Sequence, residues 1–160
     1  MDVRRRYHRN NLVLFGVAVA HALLTWPVEA TVALFAGGVA IAFVLEVIAV
    51  RLGILEHELR PQLGGVPVTI LLAWPAVVYL VYRVALLVAP AGVTAAALTA
   101  VLATAVDVLL DPKGVRNGVW RYPEHPLSAP RLRGIPWWNF AGWLVIVFVT
   151  SMLPEAVGAL

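Results

Sequence analysis

Long apolar runs, separated by short polar or proline-containing segments, dominate the chain. A helix that crosses the hydrocarbon core of a bilayer needs about 20 residues, within a range of roughly 17–25. The runs that meet or approach this length predict helices over residues 11–26, 28–50, 66–89, 90–110 and 137–153, with a polar loop over residues 111–134. The pattern predicts an all-α, polytopic membrane bundle of about five transmembrane helices. We expect a single domain, residues 1–160, without an internal repeat.

Composition supports a membrane protein. The chain is 61% hydrophobic and 13% charged, whereas soluble domains are about 45–50% apolar and about 25% charged. The net charge is +3, but the basic residues lie in loops between apolar runs, so we expect no nucleic-acid partner. The absence of cysteine excludes disulfides and thiolate metal sites. The histidines show no metal-ligand spacing, and His57 is interpreted as a loop residue outside any metal site. We therefore expect no metal and no cofactor.

The distribution of lysine and arginine predicts the orientation. All but one of the 12 basic residues precede the first predicted helix, follow the second or follow the fourth. The exception, Arg83, lies near the end of the third helix, where a long side chain reaches the interface. Short cytoplasmic loops carry an excess of positive charge. The N-terminus is therefore expected in the cytoplasm, in a multi-pass protein of a prokaryotic cell membrane that is surrounded by lipid.

Carboxylates and an amide converge near the cytoplasmic ends of three predicted helices. Glu46 lies shortly before Arg51, at the end of the second helix. Asp107 and Asp111 are four residues apart, which places both on one helix face. Asn139 begins the fifth helix on the same side. Acidic groups inside membrane spans are costly and usually mark function, so these four residues form the candidate site.

Structural interpretations of the same residues stay open. Glu46 can pair with Arg51 or Arg60, Asp111 can serve as a helix-end residue, and Asn139 is of a type common at helix N-termini. Three tryptophans either line a ligand cavity or fill space between helices: Trp74, Trp120 and Trp143.

A series of motifs carries a resemblance to a known family. After Glu46 come LGGVPVTILLAW (63–74), DVLLDP (107–112), the Trp120-Arg121 pair and RGIPWWNFAGW (133–143). Their combination and order resemble the carotenoid biosynthesis membrane protein family, which includes bisanhydrobacterioruberin hydratase and related carotenoid 1,2-hydratases. Each motif alone is weak, whereas the combination is fairly specific.

The resemblance implies addition of water to the terminal double bond of a C40–C50 carotenoid, which gives a tertiary alcohol without a redox cofactor. Asp107 or Asp111 would donate the proton, and Glu46 would position or deprotonate the water. Asn139 would orient that water. The three tryptophans would stabilise the intermediate cation, because ring faces attract positive charge. The implied partner besides lipid is a carotenoid or related isoprenoid, and the implied enzyme class is a lyase.

Two other functions stay open. Family members are longer and carry a glycine- and tyrosine-containing segment where this chain reads VRLGILEHELRPQ (50–62). That difference favours a non-catalytic carotenoid- or lipid-binding subunit of a homo-oligomer or larger complex. Such a subunit would hold the carboxylates in ion pairs with Arg60, Arg116 or Arg121 and would have no cavity. The DxxxD spacing alternatively suggests a prenyltransferase-like enzyme that binds magnesium diphosphate, although no second acidic motif is present.

Overall fold

The computed structural model describes residues 2–159 and forms a bundle of five helices. The helices are α1 (Val3–Thr25), α2 (Val28–Arg51), α3 (Val68–Ala85), α4 (Val93–Arg116) and α5 (Trp137–Ala156). Two-residue strands lie between helices: β1 (Glu56–His57), β2 (Gln62–Leu63), β3 (Val66–Pro67), β4 (Trp120–Arg121), β5 (Arg131–Leu132) and β6 (Ile135–Pro136). They pair antiparallel as β1–β4, β2–β3 and β5–β6. A short 3-10 helix covers Pro126–Ser128.

The bundle has the character of a membrane protein. Helices α2 to α5 are each long and apolar enough to cross a bilayer. Helix α1 has 23 residues, but its first turns carry Arg4, Arg5, Arg6 and Arg9. Large apolar side chains such as Leu24 and Leu87 are more than four-fifths exposed on the outer surface, where lipid rather than water suits them. The predicted all-α membrane bundle is confirmed.

Helix boundaries differ from the expected ones mainly at α1 and α4. Helix α1 begins at Val3 rather than at residue 11, because polar residues continue the helix beyond the apolar run and the Asp2 side chain caps its first turn. Helix α4 extends to Arg116 with Pro112 inside it, so the polar loop begins after that residue and not at 111. Gly118 follows the C-cap Asn117, and its φ of +62° is the left-handed conformation that commonly terminates a helix.

The chain contains an internal duplication, so the expectation of no repeat is wrong. Helices α2 and α4 both have 24 residues, and both end in Val-Arg followed one residue later by a glycine at positive φ. In the first copy Ile54 N–H donates to Ala49 O, and in the second Val119 N–H donates to Gly114 O. The same helix end is therefore built twice.

The segments that follow are also repeated. Pro61-Gln-Leu-Gly-Gly-Val-Pro and Pro130-Arg-Leu-Arg-Gly-Ile-Pro each form a hairpin, β2–β3 and β5–β6, that leads directly into a helix. Val68 N–H bonds to Pro61 O in the first, and Trp137 N–H bonds to Pro130 O in the second. We call residues 28–85 the first half and residues 93–156 the second half.

The two halves pack as a pair. Helix α2 of the first half lies against α5, and α4 of the second half lies in the equivalent way against α3. Strands β1 and β4 follow α2 and α4 and pair with each other antiparallel, as segments related by an approximate two-fold axis do. Trp74 of α3 stacks on its equivalent Trp143 of α5. Helix α1 has no counterpart and packs mainly against α3.

Candidate active site

A partly open cavity of about 320 Å³ lies between the helices, near the ends of α2 and α4 and the beginnings of α3 and α5. This volume falls in the usual range of small-molecule sites, which starts near 300 Å³. All of the site residues expected from the sequence line it: Glu46, Trp74, Asp107, Asp111, Trp120, Asn139 and Trp143. Apart from these polar groups the wall is mostly apolar, with residues such as Leu14, Ile70 and Val77.

Asp111 is the most heavily hydrogen-bonded of the acids. Its Oδ1 accepts from Trp120 Nε1–H at 2.5 Å. Its Oδ2 lies 2.9 Å from the Tyr122 hydroxyl and 3.2 Å from Asn139 Nδ2. The residue is only 4% exposed. Three donors around one buried carboxyl group favour the ionised carboxylate, because a protonated oxygen would lose an acceptor position.

Asn139 connects the two aspartates. Its Nδ2 donates to Asp107 Oδ2 at 2.9 Å as well as to Asp111. Its Oδ1 lies 3.0 Å from the Tyr122 hydroxyl, which has one proton to share between Asn139 and Asp111. Within residues 2–159 Asp107 accepts a hydrogen bond from Asn139 alone, so it is less constrained than Asp111 and faces the cavity.

Glu46 pairs with a histidine. Its Oε2 lies 2.7 Å from His57 Nε2, and both side chains are buried. Within residues 2–159 no ion pair joins Glu46 to Arg51 or Arg60. Arg60 instead donates to Gln62, and Arg121 pairs with Glu56 across the β1–β4 ladder. The presence of the cavity and these contacts disfavour the interpretation of the carboxylates as structural partners of arginine.

The tryptophans form part of the cavity wall. Trp74 and Trp143 stack with ring centroids 4.6 Å apart and planes 24° from parallel. Trp120 meets Tyr7 edge-on at 6.2 Å while its indole N–H holds Asp111. The cavity therefore combines acids with aromatic surfaces, which suits a cation that forms next to an apolar chain.

A second opening leads towards the lipid. A groove of about 210 Å³ between α2 and α5 shares Glu46, Trp74, Asn139 and Trp143 with the cavity. Groove residues have equivalents, through the duplication, in the wall of the cavity between α3 and α4. With the groove residue first, the pairs are Leu45 and Leu110, Ile48 and Lys113, Leu55 and Trp120, Gly142 and Ala73, Ile146 and Val77. The α3–α4 side is lined in addition by Tyr7, Asn11 and Leu14 of α1, whereas the α2–α5 side has no residue of α1 in its wall.

Two cavity residues, His57 and Tyr122, were missed by the interpretation of the sequence. Each follows its acid, Glu46 or Asp111, by the same interval along the chain and hydrogen-bonds to it. That repeated interval was the available signal, but it has meaning only once the duplication is recognised. Burial raises the pKa of the Tyr122 hydroxyl well above its ordinary value, with the nearby Asp111 charge as the next cause. Tyr122 is therefore a neutral hydrogen-bond donor.

The donor set gives little support to a metal site. Within residues 2–159, no three side chains of histidine, cysteine, aspartate or glutamate are arranged to hold a metal ion. The carboxylates instead point to protein hydrogen-bond donors. The hydrogen bonds that Asp107 and Asp111 accept from protein groups disfavour the magnesium-diphosphate interpretation of DxxxD.

Comparison with known proteins points in one direction. The profile of a family described as carotenoid biosynthesis protein matches residues 8–158. Bisanhydrobacterioruberin hydratase from Haloarcula japonica is 40% identical to the chain over 65 residues. The aligned stretch is 39% of this chain and 20% of that relative, so it spans only a fifth of the relative's length. No solved structure matches the chain significantly.

Proposed function

Because the chain belongs to the carotenoid biosynthesis protein family, we propose that it adds water to the terminal double bond of a C40–C50 carotenoid. The observation that carries this proposal is the cavity, in which Glu46, Asp107 and Asp111 lie beside an apolar wall with stacked tryptophans. Hydration of an alkene needs an acid, a stabilised cation and a base for water. The cavity contains a candidate group for each.

Asp107 is the proton donor in this proposal. Asp111 is surrounded by three hydrogen-bond donors and is suited to remain ionised. Asp107 shares the Asn139 amide with Asp111 and has a free side towards the cavity. It transfers its proton to the less substituted carbon of the terminal double bond. A positioned acid of this kind contributes about 10²–10⁴-fold to a rate.

The tertiary cation that results is stabilised by charge and by aromatic faces. The Asp111 carboxylate supplies the negative charge. Trp74, Trp120 and Trp143 supply ring faces, which attract cations more strongly when water is excluded. Water then adds to the cationic carbon, with Asn139 orienting it and Glu46 positioning it or helping to deprotonate it. The product is a tertiary alcohol, and one water is consumed.

The apolar part of the substrate extends into the membrane. Leu45 and Ile48 of the α2–α5 groove are exposed on the outer surface, where acyl chains lie. The groove meets the cavity at Glu46, Trp74, Asn139 and Trp143. A polyene that lies in this groove brings its end group to the acids and keeps the remainder in lipid.

The basic ends of the helices support an orientation for the whole molecule. Arginines and Lys113 gather at the start of α1, the ends of α2 and α4 and the hairpins that follow them. By the positive-inside rule we place this end, and the site with it, at the cytoplasmic face of a prokaryotic cell membrane.

Expression in a host that makes acyclic carotenoids tests the proposal. We expect extracted pigment to gain the mass of one water per modified end group. The gain disappears with Asp107→Asn and persists with Glu29→Gln, which changes an exposed acid at the other end of α2. Unchanged pigment that co-purifies with the wild-type protein would contradict the proposal and favour a carotenoid-binding subunit.

A further inference from the structure

The Glu46–His57 pair leaves one buried nitrogen without a partner. His57 Nε2 lies 2.7 Å from Glu46 Oε2, and the two side chains are 3% and 9% exposed. His57 Nδ1 is buried and has no hydrogen-bond partner within residues 2–159. His57 lines the cavity, and buried polar atoms are nearly always hydrogen-bonded, so Nδ1 is a hydrogen-bonding position that the described residues leave unfilled.

The chemistry of the pair decides which form the ring takes. An ionised carboxylate only accepts hydrogen bonds, so with Glu46 ionised His57 Nε2 carries the hydrogen and donates it to Glu46. Nδ1 of the neutral ring then has a free lone pair. A carboxylate that accepts from one ring nitrogen fixes the tautomer, so the other nitrogen is presented as a hydrogen-bond acceptor. The arrangement is that of an oriented base.

The backbone of His57 is held on two sides. In the β1–β4 ladder His57 pairs with Trp120. The His57 carbonyl accepts from Gln62 Nε2–H at 2.9 Å, and Gln62 Oε1 in turn accepts from Arg60 at 2.6 Å. These contacts fix the position of the ring relative to the second half of the molecule, including the Asp111 group.

The equivalent residue of the second half has the opposite capacity. Tyr122 occupies the position of His57 after the duplication and bonds to Asp111 as His57 bonds to Glu46. A buried neutral phenol donates a hydrogen bond, but it does not take up a proton to become a cation. Of this equivalent pair, only His57 in the first half offers a lone pair that accepts a proton.

We propose that His57 Nδ1 is the base that removes the proton from the water adding to the substrate cation, with Glu46 as the residue that positions it. This inference rests on the proposed hydration. Asp107 O–H breaks as the new C–H bond forms. The water oxygen then forms the C–O bond and loses one proton to His57 Nδ1. That proton returns through water to the Asp107 carboxylate, so the net change is alkene plus water to tertiary alcohol.

Two substitutions of His57 test the role. His57→Gln keeps an amide N–H that can donate to Glu46 but removes the ring nitrogen. We expect its kcat for hydration to fall about 100-fold or more, as for loss of a general base, with KM for the carotenoid and the melting temperature near wild type. His57→Ala opens a space of the size of an imidazole ring, and added imidazole should restore activity to it.

Pyrazole separates basicity from packing, because it has the size of imidazole but is a far weaker base. Restoration of His57→Ala by imidazole and not by pyrazole supports the proposal. Equal restoration by both would overturn it in favour of a packing role, and so would a His57→Gln protein with the wild-type kcat. If the wild-type protein adds no water, the proposed hydration function itself is wrong. If the wild-type protein and His57→Gln are equally active, hydration stands and only the role of His57 is wrong.

Discussion

The first and second halves of the bundle have the same backbone arrangement but place different side chains in the cavity. Gly65 and Gly134 have the same φ of +88° in equivalent hairpins, and the buried Val66 and Ile135 follow them. These positions are repeated because the turn and the helix entry require them. At most positions that line the cavity the two halves diverge, although the equivalent Trp74 and Trp143 are identical.

The divergence is not symmetrical. The second half has Asp107, Trp120 and Asn139 where the first half has Ala42, Leu55 and Ile70. Its acid Asp111 is held by three donors, whereas His57 is the one partner of Glu46 among residues 2–159. In the proposed reaction the duplicated backbone thus supports two roles: an acid beside a fixed anion in the second half, and a group that accepts a proton in the first.

The largest effect is expected at Asp107, the acid that has no counterpart in the first half. Asp107→Asn should lower kcat for hydration by about 10²–10⁴-fold, because the amide cannot donate a proton to carbon. Purified protein with carotenoid in detergent provides the measurement. Glu29→Gln serves as the control, and a similar loss in that variant would show a general rather than a local effect of removing acids.

The two acids at equivalent positions should differ in their contribution to stability. Asp111→Asn places an NH₂ group among three donors and should cost about 1–3 kcal/mol of unfolding free energy, as for buried groups left unsatisfied. Glu46→Gln keeps an acceptor for His57 and should cost less. Thermal unfolding followed by circular dichroism measures both. Equal losses of stability would contradict the larger number of hydrogen bonds that Asp111 accepts.

The Tyr122 hydroxyl should make stability depend on alkaline pH. Burial raises its pKa in the folded protein, so above about pH 10 the unfolded tyrosine ionises while the folded one stays protonated. The unfolded state then binds fewer protons, and stability falls with rising pH by about 1.4 kcal/mol per unit from this group. Tyr122→Phe should show a shallower alkaline decline. If Tyr122→Phe loses stability with rising pH as steeply as the wild type, the Tyr122 hydroxyl is in contact with water and not buried.

The stacked pair that joins the halves should be energetically coupled. Trp74→Phe and Trp143→Phe each weaken the same contact, and their combination should be less harmful than the sum. Aromatic pairs of this kind contribute about 0.5–1.5 kcal/mol beyond their area. A double-mutant cycle on melting data measures the coupling. Strict additivity would mean that the rings fill space independently.

The membrane fold and the meeting of the acids were predicted, whereas the duplication was missed, although P-x-L-x-G-[VI]-P occurs twice, at 61–67 and 130–136. The apolar runs predicted the number of helices. The cytoplasmic ends of three of these helices carry the polar residues that were expected to meet: Glu46, Asp107, Asp111 and Asn139. The resemblance to the carotenoid biosynthesis family, noted in motifs such as DVLLDP, is confirmed by the family match. The roles of the individual residues remain predictions.

The missed features depend on tertiary structure. Apolar residues in α2 and α4 are interchangeable in a bilayer, so few positions are identical in the two copies. Val50-Arg51 and Val115-Arg116 are one pair of segments that is identical. The loop after β4 is longer than the loop after β1, which shifts the alignment of the hairpins. His57 reaches Glu46 because two residues of β1 pair with β4, and so short a ladder leaves no periodic pattern in the sequence.

The most direct test of the central claim is the reaction of purified wild-type protein with an acyclic carotenoid in water enriched in heavy oxygen. We expect a tertiary alcohol that carries one heavy oxygen atom per modified end group, formed at least about 100-fold more slowly by Asp107→Asn. A wild-type protein that binds the carotenoid but forms no labelled alcohol would contradict it.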